Sequence, residues 1–344
     1  MTASAPRTMR AARWHQPGPL RVEADVPVAA VRADEVRVRV TAAGVCGTEL
    51  HFVDGLYPPA SVPQVLGHEA VGVVEAVGDA VTEVEVGQRV AVYYYLFCGS
   101  CRACAAGRQH LCSRPRGVLA FAADGAFAEH LVVPARCVEP VPDALGDAEA
   151  APLCCGATTA LHACAVGEVA ADDVVVVTGA GGVGLFCVQA ARLRGARVLA
   201  TSRDARRRDA AREAGALAAV HPDDLRDALA EHGRDATADV VVDTVGTPQT
   251  LGAGLAALGR GGRLVVVGYD GQDLTVNPLG LVVPEQSVRA SVGCTRAELT
   301  LALDLAARGL LTSRVDGTYP LEQVGEALER LRAGDVVGRL VLTP

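Results

Sequence analysis

A glycine-rich turn between an apolar strand and a helix constrains the fold of this 344-residue chain more than any other segment. The run from Asp173 to Val177 lacks polar alternation, which is typical of a strand buried on both faces of a parallel sheet. Gly179, Gly181 and Gly184 then fit the pattern G-x-G-x-x-G, and a helical pattern follows from Val183 to Arg194. A strand, this turn and a helix in succession predict a dinucleotide-binding βαβ unit.

Each glycine of this turn has a separate task in such a unit. Gly179 allows the tight turn, Gly181 lets the backbone approach a pyrophosphate, and Gly184 lets the helix pack against the strand. The first helical N–H groups, at Gly182 and Val183, present the positive end of the helix dipole to the phosphates. A bare structural turn is the alternative interpretation of the same pattern.

Strands and helices continue to alternate after this turn. The pattern predicts strands at Arg197–Thr201, Ala238–Val242 and Arg263–Gly268, and helices at Ala205–Ala214 and Pro248–Leu258. Such alternation indicates a parallel sheet with crossover helices, and therefore an α/β fold with a Rossmann-type doubly wound sheet. Near the C-terminus we expect helices at Arg296–Ala307 and Leu321–Leu331 and a last strand at Gly338–Leu342.

The first part of the chain, to about residue 150, has a different pattern. Short runs such as Glu35–Val40 and Ala70–Val77 predict strands that are bounded by turn residues. Gly55–Gln64 and Gly99–Arg116 show little helical period and are predicted to be loops. We therefore expect an antiparallel, barrel-like β domain with long excursions.

The charge balance excludes several classes of function. All 32 basic residues are arginine, and with 40 acidic residues the net charge is −8. Without lysine the chain cannot form a Schiff base, a P-loop or a reductase site built on a Tyr/Lys pair. An acidic chain without about 18 consecutive apolar residues favours neither nucleic acid nor a membrane as partner. Because no export signal is visible, we expect a cytoplasmic protein with reduced cysteines.

Four closely spaced cysteines predict a structural metal site. Cys98, Cys101, Cys104 and Cys112 follow the spacing C-x2-C-x2-C-x7-C. Four thiolates suit a closed tetrahedral zinc site that holds a loop without a core of its own. Iron is the alternative metal, although zinc fits this ligand set better. Since four protein ligands leave no open position, the predicted role of this site is structural.

Three further segments contain possible metal ligands at scattered positions. They hold Cys46, Thr48 and His51, then His68 and Glu69, and finally Cys154 and Cys155. Taken singly, each buried cysteine or histidine is more often part of a core than a ligand. The metalloprotease motif H-E-x-x-H is excluded because Gly72 occupies its last position.

Six motifs together give the chain a family resemblance. GVCGTELH, GHEAVGVVEAVG, the four-cysteine segment, APLCCGATT, VVVVTGAGGVG and a terminal GRLVL occur in this order. Over essentially its whole length the chain resembles the zinc-dependent medium-chain dehydrogenase/reductase family, alcohol dehydrogenase type. The resemblance implies a GroES-like catalytic β domain at residues 1–156 with a zinc lobe at 96–114, a Rossmann domain at 157–293, and a return to the catalytic domain at 294–344.

The resemblance also implies a catalytic zinc bound by Cys46, His68 and Cys155. Two thiolates and one imidazole leave a fourth position open for water or substrate. Cys154 is the alternative to Cys155, and the family's spacing from a proline, here Pro152, favours Cys155. The expected zinc content is two ions per chain.

Several neighbouring residues have implied supporting roles. Glu69 is similar to a carboxylate that binds the zinc transiently. Glu49 takes a position where the family more often has aspartate, and its extra methylene could alter how the histidine ligand is oriented. Thr48 and His51 match the family's proton relay, because a hydroxyl both donates and accepts and an imidazole titrates near neutral pH. The alternative for His51 is an exposed loop histidine.

Three more roles come from the resemblance. Tyr94 falls where the family places an aromatic residue of the substrate pocket, and filling of the β core is the alternative. Thr159 is expected to meet the nicotinamide carboxamide. Arg339 is expected to reach the pyrophosphate from the C-terminal segment.

The end of the second predicted strand bears on the choice of cofactor. An acidic residue there would bind the ribose 2′-hydroxyl of NAD, but this chain has Ser202 and Arg203, with Arg206 and Arg207 at helical spacing. A small neutral residue leaves room for a 2′-phosphate, and guanidinium groups pair well with phosphate. We therefore predict NADP rather than NAD, with a solvated helix face as the alternative.

These features predict a zinc-dependent alcohol dehydrogenase or carbonyl reductase that uses NADP(H) or NAD(H). Its partner is a small alcohol, aldehyde or ketone, and the resemblance implies a homodimer or homotetramer. The alternatives are a zinc-free enoyl or quinone reductase of the same fold and a non-catalytic NADPH-binding protein. The ligand set of Cys46, His68 and Cys155 argues against the zinc-free enzyme.

Overall fold

The computed structural model describes residues 7–16, 18–58 and 60–344, which form two compact units. The first unit comprises the chain up to Cys155 together with Thr295–Arg308 and Ser313–Pro344. The second unit comprises Gly156–Cys294 and Gly309–Thr312. Each unit therefore has its own core and its own sheet arrangement.

The N-terminal part of the first unit is mostly β-structure. Its strands are β1 (Thr8–Trp14), β2 (Leu20–Pro27), β3 (Glu35–Val45), β4 (Gln64–Val65), β5 (Glu69–Val77), β6 (Arg89–Val92), β7 (Tyr95–Leu96), β8 (Gly117–Val118), β9 (His130–Pro134) and β10 (Val138–Pro140). Its α-helices are short: α1 (Gly47–Val53), α2 (Arg102–Ala105) and α3 (Asp147–Ala150). Single 3-10 turns occupy Gln109–Leu111, Ala135–Cys137 and Ala151–Cys154.

The second unit alternates strands and helices. Its strands are β11 (Val174–Thr178), β12 (Arg197–Thr201), β13 (Ala218–Val220), β14 (Ala238–Asp243), β15 (Leu258–Val266) and β16 (Ser287–Ala290). Its helices are α4 (Gly156–Val166), α5 (Gly182–Leu193), α6 (Ala205–Glu213), α7 (Leu225–His232), α8 (Pro248–Ala257) and α9 (Pro278–Val282), with a 3-10 turn at Pro222–Asp224.

The C-terminal segment returns to the first unit. It contains α10 (Arg296–Ala307), β17 (Val315–Pro320), a 3-10 turn at Leu321–Gln323, α11 (Val324–Arg332) and β18 (Arg339–Thr343). In the main sheet the order is β10-β6-β5-β3-β18-β17, and β9 also pairs with β3. All these pairs are antiparallel except β17 with β18. The last strand of the chain is thus a neighbour of β3.

The sheet of the second unit is parallel throughout, as predicted. Its order is β13-β12-β11-β14-β15-β16, and every adjacent pair runs in the same direction. The order reverses between β11 and β14, which is the topological switch point where such sheets bind ligands. Val174, Val176, Leu199, Val241 and Leu264 fill the core beside it. The predicted α/β fold class is confirmed.

Several helices begin at residues whose side chains accept from the first free N–H groups. Asp204 accepts the N–H of Arg206 at 2.8 Å before α6. Thr295 accepts the N–H of Glu298 at 3.2 Å, and Glu298 accepts the N–H of Thr295 at 2.6 Å. Such caps satisfy donors that have no partner within the helix.

None of the helices in the described residues combines the length and the apolar character that a membrane-spanning helix needs.

The structure corrects some sequence-based element boundaries. The segment Gly99–Arg116, predicted to be a loop, contains α2 and a 3-10 turn. Helix α4 was not predicted because its own residues are mostly small and buried on all sides, so its sequence has no amphipathic period. Strand β15 begins at Leu258 rather than Arg263. These errors concern short or evenly buried elements, where periodicity gives little information.

Candidate active site

Antiparallel pairing of β3 with β5 brings two distant residues of the first unit together. In this pair Gly44 lies opposite Glu69. Cys46 follows the end of β3 and His68 precedes β5, so both side chains lie just beyond the same end of the ladder. The sheet register therefore brings together a thiol and an imidazole that lie 22 positions apart in the sequence.

The 3-10 turn Ala151–Cys154 distinguishes the two adjacent cysteines. The thiol of Cys154 donates to the carbonyl oxygen of Ala70 at 3.4 Å and is fully buried. Cys155 is instead grouped with Cys46, His68 and Glu69, and the candidate ligand atoms of these four residues lie within 4.8 Å of one another. Of the two cysteines, Cys155 is the one in the cluster.

This buried cluster fits a zinc ion in its donors and dimensions. Zinc binds sulfur at about 2.3 Å and nitrogen at about 2.0 Å in a tetrahedron, which separates its ligands by about 3.3–3.8 Å. Two thiols, one imidazole and one carboxylate can close on such an ion with small side-chain movements. A hydrogen bond with Cys155 holds the pKa of Cys46 well below its ordinary value and raises that of Cys155. A thiolate is the form of cysteine that binds metal.

Glu49 connects two members of the cluster. It is fully buried, and its Oε1 lies 2.8 Å from Nδ1 of His68. Its Oε2 accepts the backbone N–H of Cys46 at 2.9 Å. Burial alone would lower the pKa of His68, but the charges of Glu49 and Cys46 raise it well above its ordinary value. The contact at Nδ1 leaves Nε2 of the imidazole for the cluster.

Glu69 pairs with Arg339 inside the protein. Their charged groups lie 3.0 Å apart, with side chains 0% and 5% exposed. Strands β5 and β18 pair with opposite edges of β3. On β3, a Cβ on Gly44 would lie 1.9 Å from Oε2 of Glu69. Burial raises the pKa of Glu69 to about 8, and the Arg339 guanidinium opposes this rise. The missing side chain of Gly44 thus makes room for the carboxylate.

Helix α1 has a buried face and a partly exposed face near the cluster. Glu49 and Phe52 are fully buried, whereas Thr48 and His51 are half-buried. Residues three apart share one face of a helix. The hydroxyl oxygen of Thr48 lies 3.7 Å from Sγ of Cys46. The two predicted relay residues therefore follow one another along the more open face of α1.

Aromatic rings surround the His68 imidazole. The ring of Tyr94 is buried and lies edge-on to His68, with centroids 5.3 Å apart. Phe121 lies edge-on to the same imidazole at 6.3 Å and contacts Tyr57 at 5.4 Å. Tyr57 and Phe121 are half-buried. Beside the cluster there is therefore an apolar wall that includes Phe121, a residue that the sequence analysis did not select.

The four predicted structural cysteines form a second cluster in the first unit. Their ligand atoms also lie within 4.8 Å of one another. The sulfur of Cys101 is 3.4 Å from that of Cys104 and 3.8 Å from that of Cys112, and the backbone N–H of Cys98 donates to Cys112 at 3.3 Å. Backbone N–H groups near Cys101 lower its pKa to about 5. The four sulfurs match the donor set of a closed zinc site.

In the second unit the glycine turn has the conformation that its sequence predicts. Gly179 has a φ of +90°, in the region that favours glycine. A Cβ on Gly184 would lie 1.8 Å from the carbonyl oxygen of Gly179, whereas a Cβ on Gly181 would meet no described atom within 4 Å. Gly182 and Val183 form the first turn of α5. The backbone at Gly181 is thus open to a ligand.

The candidate residues for ribose recognition follow β12. Ser202 is buried and its hydroxyl accepts the N–H of Asp204 at 3.3 Å, while Arg203 is exposed. Arg206 forms an ion pair with Asp204 at 2.9 Å, and Arg207 is half-buried on α6. Ser202 itself carries no charge that would repel a phosphate, and the nearby carboxylate of Asp204 is paired with Arg206.

Family models match both parts of the chain. The alcohol dehydrogenase GroES-like domain matches residues 32–143, and the zinc-binding dehydrogenase domain matches residues 182–308. An alcohol dehydrogenase of Moraxella sp. (strain TAE123) is 33% identical over 337 residues, which cover 97% of this chain and 99% of that protein. The chain belongs to the zinc-type alcohol dehydrogenase family.

Other members of this family are similar over the full length. An NAD-dependent alcohol dehydrogenase of Sulfurisphaera tokodaii is 31% identical over 98% of this chain and all of its own length. A cobalt- and zinc-bound alcohol dehydrogenase of Pyrobaculum aerophilum shares 33% identity and superimposes with a TM-score of 0.90, covering 98% of this chain and 100% of that chain. The predicted family is confirmed, and with it the prediction of a zinc- and nicotinamide-dependent alcohol dehydrogenase.

In this member of the alcohol dehydrogenase family, two buried contacts were not predicted from the sequence. One is the second hydrogen bond of Glu49, to the backbone of Cys46, although Glu49 is the third residue of the helix and such a residue often reaches back. The other is the ion pair of Glu69 with Arg339, whose expected contact with the pyrophosphate stays a prediction. Thr159 is buried in α4, and its contact with the nicotinamide also stays a prediction.

We expect Glu49→Ala to weaken zinc binding at the Cys46 cluster about 10- to 100-fold, because supporting partners of ligands commonly contribute that much. Competition with a chromogenic chelator measures the affinity, and the four-cysteine site serves as an internal reference. Glu49→Gln retains one acceptor and should lose less. Glu85→Gln, at an exposed position, is the control. Unchanged affinity in Glu49→Ala would contradict the role assigned to both hydrogen bonds.

Proposed function

We propose that this protein oxidises small alcohols, or reduces the matching aldehydes and ketones, at the cluster of Cys46, His68 and Cys155, with NADP(H) as the preferred cofactor. One observation carries the proposal: the ligand atoms of two cysteines, one histidine and one glutamate, all buried, lie within 4.8 Å of one another. Two thiols and one imidazole are the ligand set of a catalytic zinc site with an open fourth position, which favours a metal site over an ordinary group of core residues. Glu69 is proposed as a transient fourth ligand.

When bound, zinc supplies Lewis-acid polarisation of the substrate oxygen, and the nicotinamide ring gives or accepts a hydride. The chain's own contribution is to hold the ligands and to exclude water. Glu49 fixes the direction of the His68 ring and of the Cys46 backbone. Preorganised partners of this kind avoid a cost of rearrangement during the reaction.

Thr48 and His51 are proposed to move the alcohol proton. The hydroxyl of Thr48 can accept a proton from the substrate oxygen and donate its own, because a hydroxyl is both donor and acceptor. His51 follows on the same face of α1 and is half-buried, so its imidazole can exchange a proton with solvent. The helical spacing of the two residues supports a relay in this order, with the cofactor ribose between them.

The substrate side of the cluster is proposed to bind apolar groups. Tyr94 and Phe121 flank the His68 ring, and Tyr57 continues the same wall. Aromatic faces of this kind favour hydrocarbon chains or rings over substrates that carry several hydroxyls, since they offer little hydrogen bonding. We therefore expect an alcohol, aldehyde or ketone with an apolar substituent to be the better substrate.

Ser202 and Arg203 are proposed to select NADP. Ser202 provides a small neutral side chain at the end of β12, and the exposed Arg203 can pair with a 2′-phosphate. Arg207 is a second candidate partner from α6. Gly179, Gly181, Gly182, Val183 and Gly184 are proposed to hold the pyrophosphate and Thr159 the nicotinamide carboxamide. Arg339, in the C-terminal segment, is a further candidate for the pyrophosphate.

A second copy of the chain is proposed to pair with strand β16. This strand ends the order of the parallel sheet, so its outer edge offers backbone groups to a partner. The adjoining segment exposes large apolar side chains, with Leu279 at 66%, Val282 at 71%, Val283 at 57% and Val292 at 55%. An exposed apolar patch beside an open strand favours a homodimer, or a homotetramer of such dimers.

A cytoplasmic location is proposed as well. In the described part of the chain no two cysteines form a disulfide. Thiols that serve as metal ligands need a reducing compartment to stay available.

The substitution Cys46→Ser tests the reaction. We expect turnover of aldehydes and alcohols to fall at least about 100-fold, because a serine hydroxyl is a poor zinc ligand. Zinc content should fall from two ions to one per chain by elemental analysis, with an unchanged circular dichroism spectrum. Cys154→Ser is the matched control and should keep both zinc ions and its activity. The assignment fails if Cys46→Ser keeps wild-type turnover.

The substitution Arg203→Ala tests the cofactor preference. Loss of a charge-assisted hydrogen bond of roughly 1.5–3 kcal/mol should raise KM for NADPH about 10- to 100-fold. KM for NADH should change less than about two-fold, since NADH lacks the 2′-phosphate. Arg212→Ala, an exposed arginine later on α6 whose guanidinium pairs with Asp209, is the matched control and should change neither KM. Equal effects on the two KM values would show that Arg203 does not bind the 2′-phosphate.

The substitution Val288→Glu tests the proposed contact between copies. Val288 is 40% exposed on β16, and a charge in a strand pair at this edge should be unfavourable. We expect multi-angle light scattering to give the mass of a single chain for Val288→Glu and of an oligomer for the wild type. Leu217→Glu, 55% exposed near the opposite sheet edge, should leave the oligomer intact. An unchanged mass in Val288→Glu would place the contact elsewhere.

A further inference from the structure

We infer that Thr244 is a positioning residue for the dinucleotide. Its hydroxyl, in the loop after β14, holds the glycine turn from Gly179 to Gly184 in place. The inference rests on the proposed role of that turn in cofactor binding. Thr244 follows β14 directly, and the turn follows β11. These two strands are adjacent at the switch point of the parallel sheet, so one loop can act on the other.

The hydroxyl and the backbone of Thr244 both contact the end of β11. Its Oγ1 lies 2.9 Å from the carbonyl oxygen of Thr178 and 3.1 Å from that of Gly179. Its backbone N–H donates to the carbonyl oxygen of Thr178 at 3.0 Å. A hydroxyl has a single proton to donate, so Oγ1 shares it between the two carbonyl groups. Three polar contacts thus converge on two consecutive peptide groups.

These contacts control a backbone segment that has few restraints of its own. Gly179 has a φ of +90° and no side chain, so its backbone could rotate more freely than that of a residue with a Cβ. A peptide group is planar and trans, so the carbonyl of Gly179 and the N–H of Ala180 point in opposite directions. Holding the carbonyl with Thr244 therefore fixes the N–H on the opposite side, at the start of the phosphate-binding turn.

The opposite side of Gly179 is held as well. Its N–H donates to the carbonyl oxygen of Thr201 at 3.0 Å, which ends β12. A Cβ on Gly179 would lie 2.7 Å from Oγ1 of Thr244 and 2.8 Å from Cγ2 of Val245. Glycine is therefore required at position 179 for two reasons. Its φ is positive, and a side chain there would prevent the close approach of Thr244.

The loop that carries Thr244 is itself rigidly held. The carboxylate of Asp243 is fully buried, and its Oδ1 accepts the N–H groups of Val245 and Gly246, each at 2.8 Å. Gly246 has a φ of +80°, and a Cβ there would lie 2.0 Å from the backbone of Gly268. Hydrogen bonds and close backbone contacts thus restrain the loop on both sides of Thr244, so its hydroxyl is held in position against the glycine turn.

Two hypotheses about the Thr244 hydroxyl, a purely structural role and a positioning role, predict different effects of removing it. If the hydroxyl only satisfied two carbonyl groups, its removal would lower thermal stability and leave cofactor affinity unchanged. If it sets the turn, its removal weakens the binding of NADPH and NADH alike, because both carry the pyrophosphate. In that case kcat at saturating cofactor should change little while KM for the cofactor rises.

The test compares Thr244→Val with Thr244→Ser in the full-length protein. Valine keeps the shape without the hydroxyl, so the Kd of NADPH and of NADH should each rise about 3- to 10-fold by fluorescence titration, as expected for one lost hydrogen bond. Serine restores the hydroxyl and should return both Kd values to within about two-fold of wild type. Thr237→Val removes a comparable hydrogen bond, from its hydroxyl to the carbonyl oxygen of Arg234 before β14, and should leave both values unchanged.

The outcomes separate this inference from the proposed function. Normal Kd values in Thr244→Val, with or without a lower melting temperature, would overturn the positioning role alone. A rise confined to NADPH would also overturn it, because the effect would then concern the 2′-phosphate. Failure of the wild-type protein to bind either dinucleotide would overturn the cofactor site itself and this role with it.

Discussion

Pairing of β3 with β5 is the constraint on which the candidate active site depends. Because Gly44 lies opposite Glu69, the residues just beyond this end of the ladder, Cys46 and His68, meet without a long connecting loop. A shift of one residue in an antiparallel register would turn every side chain of the strand to the other face. The hydrogen-bonded ladder thus determines the position of the cluster before any metal contributes.

Buried charge is concentrated around this ladder and is balanced locally. Glu49 has partners in His68 and the Cys46 backbone, and Glu69 has one in Arg339. An isolated buried charge would be strongly unfavourable, so each carboxylate needs its partner in the folded state. The last strand supplies the guanidinium because β18 also pairs with β3. The C-terminal segment of the chain therefore completes the charge balance of a site formed near its N-terminus.

In the second unit, close approach between backbone segments holds the loops at the candidate cofactor site. Gly179, Gly246 and Gly268 lie where a Cβ would overlap a neighbouring loop, and a Cβ on Gly184 would overlap Gly179 of the same turn. The loops after β11, β14 and β15 thus interlock at the carboxyl end of the sheet, where a parallel sheet binds ligands. Thr244 adds directed hydrogen bonds to this contact. Shape and hydrogen bonding together limit the freedom of a turn in which four of the six residues from Gly179 to Gly184 are glycine.

The sequence by itself determined the elements with a strong pattern. The valine run, the glycine turn and the strand at Arg197–Thr201 predicted the parallel sheet, and the spacing of Cys98, Cys101, Cys104 and Cys112 predicted their cluster. Local spacing suffices in these cases because neighbours in sequence are neighbours in space. Cys46, His68 and Cys155 required a family resemblance, because single ligands separated along the chain have no pattern of their own.

Only the tertiary structure decided the long-range contacts. It separated Cys155 from Cys154, gave Glu49 its second partner, paired Glu69 with Arg339 and set Thr244 against Gly179. Each of these contacts depends on sheet register and strand order. Register and order arise when the core packs, and the residues that they bring together can lie hundreds of positions apart in the sequence.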